Sequence, residues 1–202
     1  MSIPDLRSAA QSILPDLVTL RRTLHANPEL GTDLPFTQAQ VLEALAGLGL
    51  EVSTGDSLTS VAAVLRGGRP GPAVLLRGDM DALPVTEETG LDFASTNGNM
   101  HACGHDLHTA GLVGAARLLA VHRDELPGSV IFMFQPAEES DGGAEPMIAE
   151  GVLEAAGVPV VAAYGIHGEA DVRGRFTTRG GPLMAGFADL HVTVHGAGGH
   201  SS

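Results

Sequence analysis

The chain has 202 residues, 44% of them hydrophobic, and its 11 basic residues, all arginine, stand against 24 acidic ones, for a net charge of −13. So negative a charge excludes nucleic acid as a partner, since phosphates require a basic face, and without an apolar run of about 18 residues a membrane protein is not expected. The length fits one ordinary domain with the start of another. The chain has a single cysteine and its N-terminus lacks an apolar signal core, which together favour a cytoplasmic location.

Helix and strand patterns of hydrophobic residues alternate along most of the chain. In chain order we predict helices over 4–26 and 36–49, strands over 51–54, 61–66 and 73–78, a helix over 105–121, a strand over 129–135, a helix over 144–154 and a strand over 159–166. Pro15 lies inside the first helix, at a point where that helix can divide. This alternation predicts an α/β fold with a mostly parallel sheet covered by helices.

The last part of the chain has a different pattern. From Gly174 onward the residues alternate between apolar and polar without a helical period. Leu190, Val192 and Val194 fall on one face of the segment 188–195, which predicts a half-solvated strand. The chain stops soon after this strand, which would then be an unpaired edge, so we expect a chain that has been cut.

The segment 100–108 contains three histidines, one aspartate and the only cysteine of the chain. Cysteine and histidine are common ligands of zinc-like divalent ions, and the Cys-x-His spacing can bring Cys103 and His105 into one cavity. A lone cysteine is more often a small buried hydrophobic residue. The metal interpretation therefore requires further ligands elsewhere in the chain.

Such side chains follow three apolar strands, at the point where each strand ends. They are Asp79 and Asp81, Glu138 and Glu139, and His167. One carboxylate pair after a strand is usually part of a solvated loop. However, open α/β sheets carry their active sites at the carboxyl ends of their strands, so three such endings together with the cysteine and histidine cluster predict one site at that edge.

Six motifs carry a resemblance to a known family. They are RRTLHANPELG at 21–31, GDMDALPVTEE at 78–88, MHACGHDLH at 100–108, QPAEE at 135–139, GIH at 165–167 and GAGGHS at 196–201. The chain resembles the M20 family of metallopeptidases, and most closely its amidohydrolase branch of hippurate hydrolases, N-acyl-amino-acid amidohydrolases and auxin-conjugate hydrolases. The resemblance implies a zinc-peptidase-like catalytic domain interrupted by a smaller α+β lid and dimerisation domain. Residues 1–186 would be the N-terminal part of the catalytic domain, and 187–202 the beginning of the lid with its first strand.

The resemblance also implies roles for individual residues. Four residues match metal ligands: Cys103, which would bridge two ions as a thiolate, His105, Glu139 and His167. Three match catalytic positions: Glu138 as the general base, Asp81 as a carboxylate that orients a ligand or the base, and His200 as a lid histidine that contacts the substrate carbonyl across the dimer. We expect supporting or structural roles for Asp79, His101, Asp106 and His108, and no role at the site for His25, His122, His191 and His195.

The implied activity is that of a metal-dependent amidohydrolase, which cleaves the amide bond of N-acyl amino acids or related conjugates with metal-activated water. Its cofactors would be two divalent ions drawn from zinc, manganese, cobalt and nickel. Its partners would be a small N-acyl amino acid substrate and, for the intact protein, a second copy in a homodimer.

Two alternatives remain open. A cysteine hydrolase would use Cys103 as the nucleophile and His105 or His167 as the base, but this interpretation leaves Glu138 and Glu139 without a role. The other alternative is a truncated, catalytically incompetent metal-binding fragment, because members of the family take a further histidine ligand from their C-terminal portion.

Overall fold

The computed structural model describes residues 3–140, 142–169, 174–184, 186 and 190–199. The chain divides into two units, Met1–Gly168 and Glu169–Ser202. The helices are α1 (Ile3–Ala26), α2 (Pro35–Leu45), α3 (His105–Val121) and α4 (Ala144–Ala149), and the strands are β1 (Glu51–Thr54), β2 (Val61–Arg66), β3 (Arg69–Asp79), β4 (Pro127–Gln135) and β5 (Val160–Gly165). A short 3-10 helix, Arg123–Glu125, lies between α3 and β4. In the part of the chain that the structure describes, no helix has the length and apolar character needed to cross a bilayer.

The five strands form one sheet in the order β1-β2-β4-β3-β5. β3 is parallel to both of its neighbours, β4 and β5, whereas β2 is antiparallel to both β1 and β4. Four strands therefore run in one direction and β2 alone is reversed. The prediction of an α/β fold with a mostly parallel sheet is confirmed.

The sheet has a hydrophobic core on each face. The central strand β4 is buried from Gly128 to its end, so its sequence is a continuous apolar run without alternation. Phe132 and Phe134 pack into the core on the side of α2 and α3. Ile131 and Met133, the alternate residues of the strand, pack into the second core, as the two-residue period of a strand requires.

Three helix predictions differ in detail from the structure. Pro15 does not divide α1, because it lies on the exposed face, where water can solvate the carbonyl group that loses its partner. α2 ends at Leu45, before the predicted residue 49, because Gly47 takes a left-handed φ of 76°. α4 ends at Ala149, before the predicted residue 154, for the same reason, since Gly151 has a φ of 88°.

The strand predicted over 188–195 is not found in the described residues. Residues 190–195 have no strand conformation, and residues 188 and 189 lie outside the described part. A strand needs a hydrogen-bonded neighbour, and no described segment pairs with residues 190–199. One compact unit begins at Glu169, and both the domain boundary at residue 187 and the assignment of 187–202 to a lid domain stay predictions.

Candidate metal centre

The candidate site lies where three neighbouring strands end. β3 lies between β4 and β5 and is parallel to both, so the carboxyl ends of the three strands meet at one edge of the sheet. α3 begins at the same place with His105. The fold thus brings together the strand-end residues and the cysteine and histidine cluster, which are distant in sequence.

His105 is the centre of this cluster, and its side chain is 1% exposed. Its Nδ1 lies 3.3 Å from Asp81 Oδ1, and its Nε2 lies 3.5 Å from Asp79 Oδ2. Oε2 of Glu138 and Oε1 of Glu139 each lie 3.8 Å from the same Nε2. Neither ring nitrogen makes a hydrogen bond to any described residue. Four carboxylates therefore surround a buried imidazole without satisfying it.

The predicted sulfur ligand lies next to a second histidine. Cys103 Sγ is 3.3 Å from His167 Nε2, and one donor atom from each of Cys103, His105 and His167 lies within 4.8 Å of the other two. His105, Glu138 and Glu139 form a second such group. Three of the four side chains predicted as ligands, Cys103, Glu139 and His167, therefore lie around the fourth, His105, and Glu138 is close by.

Asp81 fixes the turn that carries the two glutamates. Its Oδ1 accepts the backbone N–H of Glu138 at 3.0 Å, and its Oδ2 accepts that of Glu139 at 2.9 Å. Just before them, Ala137 has a φ of 56°, a left-handed conformation that a residue with a Cβ adopts only when its surroundings hold it there. The carboxylate of Asp81 thus anchors the backbone from which both glutamates project.

Asp79 is already paired within the protein. Its Oδ1 lies 2.6 Å from His108 Nδ1, and its Oδ2 lies 2.7 Å from an Arg77 guanidinium nitrogen. Burial raises the pKa of Asp79, but His108, His105 and Arg77 together outweigh it and hold the pKa below its usual value. Asp79 is thus ionised and balanced by charged and polar partners, which suits a supporting role better than metal ligation.

The donor set fits a divalent cation. Burial, followed by the nearby carboxylates of Glu139, Glu138 and Asp79, raises the pKa of the Cys103 thiol to about 12. Burial lowers the pKa of His105, but Asp81, Asp79 and Glu139 raise it more, so it is raised overall. Both shifts express an excess of negative charge around the cluster. A cation would relieve this excess and would satisfy the buried His105 nitrogens and Glu139 Oε1, which form no hydrogen bond within the described chain.

A second polar cluster lies beside the first, and sequence reasoning missed it. His25 is 3% exposed, and its Nδ1 lies 2.7 Å from Oδ2 of Asp106, the residue that follows His105. The same oxygen pairs with Arg21 Nε at 2.8 Å, and His25 Nε2 lies 3.0 Å from Glu87 Oε1. His25 therefore lies in a buried cluster next to the site, and the expectation that it has no role at the site stays a prediction. The sequence pattern that could have indicated this cluster is the spacing of Arg21 and His25, which lie four residues apart and therefore on one face of α1.

The remaining histidines occupy different environments. His101 is buried, neither of its nitrogens is hydrogen-bonded to a residue that the structure describes, and burial lowers its pKa to about 4. His122 pairs with Glu125 at the surface, and His191 and His195 are exposed. The predicted lid residue His200 lies outside the described residues, so its role stays a prediction.

Comparison with known proteins gives the chain relatives over nearly its full length. It is 44% identical over 205 residues to thermostable carboxypeptidase 2 of Saccharolobus solfataricus, a match that covers 99% of this chain and 51% of that protein. It is 41% identical to an N-acyl-L-amino acid amidohydrolase of Geobacillus stearothermophilus, with 100% of this chain and 54% of that protein covered. The chain thus spans about half the length of the curated relatives it matches.

The fold and a family model lead to the same assignment. The crystal structure of a Bacillus subtilis protein, described as a dinuclear metal binding peptidase from the M20 family, matches with a TM-score of 0.74 and 41% identity, covering 80% of this chain and 44% of that one. The model of peptidase family M20/M25/M40 matches residues 75–192, more than half of the chain. The resemblance inferred from the motifs is confirmed, and the chain belongs to peptidase family M20/M25/M40.

Proposed function

We propose that this chain supplies the metal-binding part of an amidohydrolase that acts on N-acyl amino acids or related amide conjugates. The observation that carries the proposal is the buried ring of His105, which lies among four carboxylates and whose nitrogens make no hydrogen bond to the residues that the structure describes, with Cys103 and His167 in contact beside it. In this proposal Cys103, His105, Glu139 and His167 hold two divalent ions. Zinc, manganese, cobalt and nickel all suit such a mixed set of sulfur, nitrogen and oxygen donors.

The names of the relatives support the reaction class. One is an N-acyl-L-amino acid amidohydrolase and another a carboxypeptidase, and both names describe cleavage of a linear amide bond. The Bacillus subtilis structure is described as dinuclear, which supports a count of two ions. Because the chain spans about half of its relatives, the activity is proposed for the whole protein. A homodimer and a cytoplasmic location stay predictions.

The two neighbouring glutamates would have different tasks. Bound divalent ions supply Lewis acidity, which polarises an amide carbonyl and lowers the pKa of water. The Glu138 side chain is 39% exposed and can reach solvent, whereas that of Glu139 is 22% exposed, with its buried Oε1 unpaired within the described chain. We assign Glu138 as the base that takes a proton from the attacking water and returns it to the leaving amine, and Glu139 as a ligand.

The protonation of Cys103 argues against the cysteine hydrolase. A nucleophilic cysteine needs a lowered pKa, because the thiolate is the reactive form. Burial and neighbouring carboxylates instead raise the pKa of Cys103 to about 12. A thiol in this setting attacks substrate poorly, but it can lose its proton when a cation binds it.

The test separates metal binding from turnover. We expect Glu138→Gln to keep the metal content of the chain and to abolish hydrolysis of hippurate or an N-acetyl amino acid, measured in the longest protein that contains this chain. Glu139→Gln should lose metal, and Glu43→Gln, on the exposed surface of α2, is the matched control. If Glu138→Gln strips the metal and Glu139→Gln does not, the two assignments are reversed. Full metal content after Cys103→Ala and His105→Ala would overturn the site itself.

A further inference from the structure

Both ring nitrogens of His108 are engaged, in a way that fixes its tautomer. The backbone N–H of Gly168 donates to His108 Nε2 at 2.8 Å. An amide nitrogen can only donate here, so Nε2 carries no proton. The proton of the neutral ring therefore lies on Nδ1, which is 2.6 Å from Asp79 Oδ1 and donates to it. The side chain of His108 is 5% exposed, whereas Gly168 is exposed.

This ring joins three elements that carry the candidate site. His108 lies one turn after His105 on α3, and Asp79 is the last residue of β3. Gly168 directly follows His167, whose ring centroid is 5.1 Å from that of His108. The contact between His108 and Gly168 therefore reaches the residue next to a proposed ligand.

The segment after β5 continues beyond the last strand pairing. β5 pairs with β3 alone among the described strands, and this pairing ends at Gly165, opposite Arg77. His167 lies two residues beyond that point and is exposed. Neither sheet pairing nor burial therefore fixes the position of His167.

We propose that His108 is a positioning residue: as the Nδ1–H tautomer, which Asp79 fixes, it accepts the backbone N–H of Gly168 at Nε2 and so sets where His167 meets the metal. This inference rests on the proposed function, and it separates His108 from the ligands. Asp79, His105 and His108 also form a group of close donor atoms, but ligation by His108 would break one of its two hydrogen bonds. Asp79 has one oxygen hydrogen-bonded to His108, while the other forms an ion pair with Arg77 but no hydrogen bond to a described residue.

Two substitutions can cut the two bonds separately. In His108→Asn the side-chain amide nitrogen takes the place of Nδ1, so the bond to Asp79 is kept and the acceptor for Gly168 is lost. In His108→Gln the side-chain carbonyl oxygen reaches the place of Nε2, so the acceptor for Gly168 is kept and the bond to Asp79 is lost. His122→Asn, a histidine paired with Glu125 at the surface, is the matched control.

The first measurements use the metal-free chain of 202 residues. The 15N shifts of the His108 ring should report a neutral Nδ1–H tautomer, and the Gly168 amide should exchange with solvent faster in His108→Asn than in His108→Gln. A protonated Nε2 would contradict the bond between Gly168 and His108. Equal exchange of the Gly168 amide in the two variants and the parent chain would contradict it as well. Neither readout depends on metal or substrate. A chain that binds no metal would therefore contradict the proposed function, while these readouts would still show whether His108 holds Gly168.

The second measurement is metal affinity, by competition with a chelator, together with the Co²⁺ absorption spectrum. A partner that orients a ligand typically contributes about tenfold to a hundredfold to metal affinity, so we expect a loss of that size in His108→Asn and a clearly smaller loss in His108→Gln. The spectrum of the loaded His108→Gln chain should match that of the parent, because the ligand set is unchanged. Equal losses in both variants would indicate a general structural role, and a changed spectrum in both would make His108 a ligand; either result would overturn the proposal.

Discussion

Replacing Asp106 by asparagine tests whether the buried cluster beside the candidate site stabilises the fold. The Asp106 side chain is 0% exposed, and one of its oxygens contacts both Arg21 Nε, at 2.8 Å, and His25 Nδ1, at 2.7 Å. Asparagine keeps the shape of the side chain but loses the charge, and its amide group can place a donor opposite another donor. A hydrogen bond to a charged group contributes about 1.5 to 3 kcal/mol. Because Arg21 is 22% exposed, its share is reduced by solvent, and we expect a total loss of about 3 to 5 kcal/mol.

The assay is urea unfolding of the chain, followed by circular dichroism, beside the control Asp16→Asn. Asp16 pairs with Arg117 at 3.5 Å, but its side chain is 74% exposed, so this control should lose no more than about 1 kcal/mol. For a chain of this size, a loss of about 3 to 5 kcal/mol lowers the melting temperature by roughly 6 to 20 °C. If the two variants differ by less than about 1 kcal/mol, the buried charge of Asp106 does not contribute as argued.

Three further predictions concern backbone fit, acid stability and metal uptake. Gly128→Ala should destabilise the chain by about 1 to 3 kcal/mol more than Gly47→Ala in urea unfolding. Both glycines have left-handed φ values, 77° and 76°, so the backbone strain is the same. Only at Gly128 would the added Cβ lie 1.8 Å from the Pro72 carbonyl oxygen. Burial lowers the pKa of His101 from 6.5 to about 4, so the unfolded chain takes up the proton first, and stability should fall by about 3 kcal/mol between pH 6.5 and 4. That fall should be absent from the pH profile of His101→Gln, and an unchanged profile would contradict the assignment. Since the pKa of Cys103 is raised to about 12, a cation must displace the thiol proton when it binds. Competition with a chelator should therefore show the metal affinity rising about tenfold per pH unit near neutrality, and the slope should be smaller in Cys103→Ser.

The sequence predicted most strands well, and the ends of α2 and α4 less well. β1 and β2 have the predicted bounds, β4 and β5 differ by one or two residues at an end, and β3 begins four residues before its predicted start. Buried strands read as uninterrupted apolar runs. α2 and α4 are shorter than predicted because their ends depend on whether a glycine takes a left-handed conformation. Gly47 and Gly151 lie inside the apolar pattern, so hydrophobic periodicity alone continued each helix past them.

Part of the candidate site could be predicted from the sequence, because parallel neighbouring strands bring their carboxyl ends to one edge whatever their loops do. The partners of the buried acids could not be predicted in the same way. Asp79 pairs with a histidine 29 residues away, and Asp106 with one 81 residues away. Such pairs follow from helix packing and leave no local pattern, so the sequence did not identify the histidine partner of Asp79 or the pairing of His25 with Asp106.

Two aspartates at the carboxyl end of β3 explain how the candidate site keeps its shape. Asp79 is the last residue of β3 and Asp81 follows two residues later, and β3 has β4 on one side and β5 on the other. Asp81 accepts backbone amides from the segment after β4, whereas Asp79 acts through His108 on the segment after β5. One carboxylate thus anchors the exit of each neighbouring strand, and each exit carries a proposed ligand. Because these hydrogen bonds form without a metal, the segments that carry the proposed ligands are held in place before a cation binds. Ordering these segments therefore costs little of the free energy of metal binding.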